Sequence, residues 1–117
     1  EATGYRYTRE ILHSTQPPTA IVACNNLICI GCLHVIIEEQ VKLGRDISLV
    51  GFDDHDWAAA YSPGVTVAFS PKAEMGICAA QVLFSLLNNN RPAKPKNIVL
   101  PVEIRYRGSV ENLSQEK

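Results

Sequence analysis

Apolar positions recur at two different spacings along the chain. Residues 4–15, "GYRYTREILHST", place Tyr5, Thr8, Ile11 and Leu12 at helical intervals, which predicts a helix that Pro17 and Pro18 close. "TAIVAC" (19–24) is a short apolar run and reads as a buried strand. Asn25 and Asn26 follow it and can cap a second helix over 27–43, with Ile28, Cys32, Val35, Ile36 and Leu43 apolar and Gly44 as its stop. "DISLVGF" (46–52) predicts a second strand, and "DDHDWAAAYSPG" a loop with one helical turn. "VTVAF" (65–69) predicts a third strand. Ser70 then caps a helix with Pro71 at its first position, along which Met75, Cys78, Ala79, Val82 and Leu86 form an apolar stripe. "NNNRPAKP" (88–95) is a polar loop. Beyond it the period falls to two: Ile98, Leu100, Val102, Ile104 and Tyr106 on one face, Val99, Pro101, Glu103, Arg105 and Arg107 on the other. That alternation predicts a half-exposed strand, bent or at an edge near Pro101, before a polar tail, "ENLSQEK".

Strands alternating with helices imply an α/β fold, with a Rossmann-like parallel sheet flanked by helices. Ligands of such sheets lie beyond the carboxyl ends of the strands. Three clusters stand at those ends: Asn25-Asn26, Asp53-Asp54 and Ser70. They are expected to face one crevice.

A chain of 117 residues suits a single domain. Eleven basic against twelve acidic residues give a net charge of −1, which argues against nucleic-acid binding by this segment alone. No apolar run approaches the ~20 residues of a membrane helix, and the polar start, "EATGYRYTRE", shows no signal peptide. Cys24, Cys29 and Cys32 form C-x4-C-x2-C without a second ligand pair at zinc-site spacing. The expectation is small buried hydrophobes on a helix face, in a reducing compartment.

The densest chemistry is "SLVGFDDHDW", residues 48–57. Consecutive residues point in different directions, so Asp53, Asp54, His55 and Asp56 are poorly placed to share one metal ion. The cluster also lacks the spaced acids and glycine of a calcium loop. No G-x-S-x-G, G-x-G-x-x-G or Walker loop occurs. The expectation is therefore no enzyme, no catalytic residue, no cofactor and no metal. What remains is binding of a polyhydroxyl ligand: a carboxylate accepts from two neighbouring hydroxyls, and an asparagine donates and accepts at once. Asn25 could equally be a simple helix cap, and Asp53 a loop carboxylate.

"PTAIVACNN", "DISLVGFDD", "SP-x-VTV…SPKAEMG" and "LPVEIRYRGS" occur in that order. Together they resemble the effector-binding domain of the LacI/GalR family of bacterial transcription repressors, over roughly residues 3–110. The match is to the C-terminal part of that periplasmic-binding-protein-like domain, so residues 1–117 would form one lobe of it. The resemblance implies a sugar or related small effector bound between two lobes, with Asn25 and Asp53 as contacts. Ser70 stands where the family often has glutamine, and Asn26 where an aspartate is common. Both departures bear on which effector fits.

The resemblance further implies a cytoplasmic homodimer, with Ile30, His34, Trp57 and Tyr61 as candidates for the two-fold contact. Operator DNA would be reached only through a helix-turn-helix headpiece that this sequence does not contain, and no membrane would be involved. An uncovered strand edge would favour self-association. The alternative is a periplasmic sugar-binding protein of an ABC transporter, which shares the fold; the unpaired cysteines disfavour it.

Overall fold

The computed structural model describes residues 1–88 and 97–112. Eight elements follow in order: α1 (Ala2–Leu12), β1 (Ala20–Val22), α2 (Asn26–Glu38), β2 (Ser48–Phe52), α3 (Asp56–Ala60), β3 (Thr66–Phe69), α4 (Lys72–Leu87) and β4 (Glu103–Arg105). The order α-β-α-β-(short)-β-α-β matches the expected one. The sheet runs β1-β2-β3-β4. β1 and β2 pair in parallel, with Ala20 opposite Ser48, and so do β2 and β3, with Val50 opposite Thr66. This is the expected α/β architecture. The polar loop proposed over 88–95 falls almost wholly outside the described residues, as does the end of the tail.

Two compact units emerge: residues 1–69 with 104–117, and residues 70–103. In the first, α1 packs on α2 and α2 on β2. The core between them includes Cys29, Cys32, Leu33, Ile36, Leu49 and Val67, all buried. Cys29 and Cys32 therefore pack as small hydrophobes. Burial, and then the neighbouring Cys32, push the Cys29 thiol up to about 12. Thr8, also buried, donates its hydroxyl hydrogen to Cys32 Sγ at 3.0 Å.

Close approach of backbones explains the α1–α2 packing. A Cβ on Gly31 would lie 2.6 Å from the Tyr5 backbone nitrogen, and one on Gly4 would lie 2.9 Å from Ile28 Cα. Neither backbone can give way as a flexible side chain would.

Three expectations need correction. α2 ends at Glu38, not 43, and Gly44 is not its stop. The terminating residue is Gln40, at φ 56°, with the Val41 N–H donating to Ile36 O and the Gln40 N–H to Ile37 O. This is a six-to-one helix terminator with glutamine in the left-handed position that glycine usually fills. Gly44, at φ 85°, instead serves the turn into β2, where its N–H reaches Ile47 O at 2.8 Å. Second, α4 starts at Lys72, with Pro71 in the capping position and no side-chain cap from Ser70. No residue of α4 is buried, so its apolar stripe faces a groove shared with Ile98, Leu100 and Val102 of the same unit.

Third, the last strand is shorter than the alternation over 98–107 predicts. Only Glu103–Arg105 is extended in the sheet, and Ile104 and Tyr106 are exposed, Tyr106 to 79%. Arg105, Arg107 and Ser109 turn inward instead. Polar partners decide this. The Arg107 N–H donates to Thr66 Oγ1, whose hydroxyl donates to Arg107 O. The fully buried Ser109 accepts from the Thr66 N–H and donates to Leu49 O.

Overpacking a rigid backbone contact costs about 1–3 kcal/mol. Gly31→Ala is expected to destabilise the fold by that amount, read as a lower urea midpoint at unchanged slope. Gly76→Ala within α4, where an added Cβ meets nothing within 4 Å, is expected to raise stability by up to about 1 kcal/mol.

Candidate functional site

The parallel strands β1 and β2 deliver Asn25 and Asp53 to the same edge of the sheet. Asn25 is the N-cap of α2: its backbone is extended, and its Oδ1 accepts from the Ile28 N–H at 2.9 Å. The bond uses the oxygen, so the amide end is the part able to donate to a ligand. Asp53 ends β2 in the left-handed region, at φ 66°, with its N–H donating to Ala68 O at 2.8 Å. Aspartate tolerates this conformation better than most residues.

The acidic run does not converge on one point. Asp54 leaves Asp53 behind and takes two guanidinium groups: Arg105 donates to its Oδ2 at 2.6 Å, and Arg107 to Oδ1 and Oδ2 at 2.8 and 2.9 Å. Its side chain is only 10% exposed, against 40% and 20% for the two arginines. Burial raises the Asp54 carboxyl, but the hydrogen bonds and charges of Arg105 and Arg107 outweigh it and hold the group below its ordinary value. Arg105 also lies over the Phe69 ring, 3.8 Å from its centroid. His55 occupies the N-cap position of α3, and Asp56 its first turn. Among the described residues no three His, Cys, Asp or Glu side chains are grouped to hold a metal ion, and no helix is long and apolar enough to cross a membrane.

Ser70 belongs to the second unit, where it borders the groove along α4. Arg105 and Arg107 are the residues that sequence reasoning missed, because alternation put them on one face of the strand without saying which face turns inward. Two arginines two residues apart, with an unexplained second aspartate after β2, were the only signal available.

Ile30, His34, Trp57 and Tyr61 meet. They line one shallow hollow of about 450 Å³, together with Leu33 and Ile37. Ile37 is half exposed, whereas Trp57 and Tyr61 also pack against the core. Burial raises the Tyr61 phenol above its usual value. The Trp57 indole N–H donates to Asn26 Oδ1 at 2.6 Å.

Residues 1–110 match the periplasmic binding protein-like domain family. The chain belongs to that family. Its relatives are transcription repressors. It is similar to a probable opine utilization operon repressor of Rhizobium rhizogenes, at 34% identity over 92% of this chain and 54% of that repressor. Solved structures agree. The Lac repressor bound to ONPG in its repressed state is 28% identical with a TM-score of 0.81, matching 93% of this chain and 33% of that one. A dimeric Lac repressor with a C-terminal deletion is 27% identical with a TM-score of 0.81, matching 94% and 40%. The chain thus spans about half of the curated relative and a third to two fifths of the solved ones. The LacI/GalR resemblance read from the motifs stands, and these family members do not favour the transporter alternative.

The clamp on Asp54 has a defined pH window. A carboxylate whose native pKa is depressed adds stability above its unfolded value and loses it as pH falls through the native one. Asp54→Asn is expected to destabilise the fold by about 2 kcal/mol at pH 7. The gap from the parent chain, followed by urea unfolding, should narrow once pH drops below about 4.

Proposed function

We propose that this chain is the effector-sensing part of a LacI-type transcription regulator. The effector is a sugar or related polyol. The observation that carries the reading is the placement of Asp53, directly after β2 at the carboxyl edge of the sheet, with Asn25 at the end of the neighbouring strand. A carboxylate there accepts from two adjacent hydroxyls while the asparagine amide donates to a third oxygen. A ligand lacking matching groups leaves these polar atoms unpaired, which gives selectivity.

Two copies associate through the hollow formed by α2 and α3, with Ile30, His34, Trp57 and Tyr61 at the contact. The apolar lining and the similarity to a dimeric Lac repressor support a second copy as its occupant. Operator DNA is bound by a headpiece outside this sequence, in the cytoplasm. Effector binding shifts operator affinity only so far as the effector prefers one arrangement of the protein over another.

In the complete protein, Asp53→Asn keeps a residue that tolerates the left-handed conformation and removes the charge. A thermal-shift screen against sugars, sugar acids and polyols is expected to find a ligand for the parent, worth about 2.7 kcal/mol at 100 times its Kd. The variant should lose that shift yet keep operator affinity. A variant that responds like the parent would remove Asp53 from the site. Self-association is read separately: Ile30→Glu should turn a concentration-dependent dimer into a monomer in sedimentation equilibrium.

A further inference from the structure

Asn26 lies between two features that are otherwise separate. On one side it borders, with Asn25, a hollow at the N-terminus of α2, the edge where β1 ends. On the other its Oδ1 accepts the Trp57 indole N–H, at 2.6 Å and partly buried. The two residues are 31 positions apart, so this bond ties α3 to the start of α2. Trp57 in turn lines the hollow with Ile30, Leu33, His34, Ile37 and Tyr61.

An indole has one N–H and no acceptor, so its hydrogen bond fixes which edge of the ring faces which way. Without it the ring is held in the hollow by apolar contact alone, which is not directional. Aromatic anchors at an association surface contribute most when pre-oriented, because ordering them during binding costs affinity. We infer that Asn26 is a positioning residue for self-association: through its hydrogen bond it holds Trp57 in the orientation that the partner copy meets. The inference rests on the proposal that two copies associate through this hollow. It also links the surface to the strand-end edge. A ligand at the Asn25–Asn26 end that takes Oδ1 as its acceptor competes with the indole, so ligand occupancy and self-association each shift the other by the same factor.

The test is a double-mutant cycle on the dimer dissociation constant of this chain by sedimentation equilibrium, with urea midpoints as the control for folding. Asn26→Ala removes the acceptor, and Trp57→Phe keeps an aromatic ring without the N–H. Each is expected to weaken the dimer about tenfold, a loss shared between the two copies of this bond that a two-fold dimer contains. The double variant should be no weaker than either single one. Asn26→Asp, which keeps an acceptor in the same place, should dimerise within about twofold of the parent. Additive losses near a hundredfold, or an Asn26→Asp variant as weak as Asn26→Ala, would overturn the role of Asn26 while leaving the surface intact. A parent chain that stays monomeric at every concentration would overturn the surface itself, and this inference with it.

Discussion

The seam between β2, β3 and the end of the chain depends on a buried hydroxyl. Ser109 accepts from the Thr66 N–H and donates to Leu49 O, while its own carbonyl accepts from the Leu49 N–H at 2.9 Å. One residue near the end of the chain thereby holds β2 and β3, 60 and 43 positions earlier in sequence. Thr66 and Arg107 extend the seam by a reciprocal pair, and Arg107 also donates to Val65 O at 2.8 Å. No apolar residue could substitute, since each strand would keep a buried donor or acceptor without a partner, at about 1–3 kcal/mol apiece. Bringing distant segments together costs chain entropy that grows only slowly with separation. A dense local set of bonds is enough to offset it.

That seam explains why some features could be read from sequence and others could not. The order of elements was readable because strands in a parallel sheet are short apolar runs, and Pro17, Asn25 and Pro71 punctuate them. The fold class followed. The parity of residues 98–109 was not readable, because alternation alone says which residues share a face and not which face wins. Acceptors on Asp54 and Leu49 and the Thr66 hydroxyl are what draw Arg105, Arg107 and Ser109 inward. The end of α2 was hidden for another reason. Val41 and Leu43 continue an apolar pattern, and nothing local marks Gln40 as the residue that takes a left-handed turn.

The site shows the same division. The strand-end rule places Asn25 and Asp53 without knowledge of any contact, because parallel strands share a direction. The convergence of Ile30, His34, Trp57 and Tyr61 came from family resemblance, since spacing of four relates the residues within each pair and says nothing of how the two pairs meet. The two consecutive aspartates divide their work by conformation. Asp53 takes a left-handed backbone, at φ 66°, and Asp54 binds two arginines. A clamp that neutralises one carboxylate also fixes the backbone beside the other, where a non-glycine residue at positive φ needs its surroundings to hold it.

α4 buries none of its sixteen residues, and that determines how its backbone protons behave. In proteins most of a helix's stability comes from packing one face rather than from propensity. Its amide hydrogens have no packed layer of side chains to slow their opening, whereas those of α2 lie behind Cys29, Cys32 and Ile36. The two helices are therefore opposite ends of one scale of local stability. In deuterium oxide α4 marks the fast end, exchanging through local fraying, and α2 the slow end, exchanging only when the first unit opens as a whole.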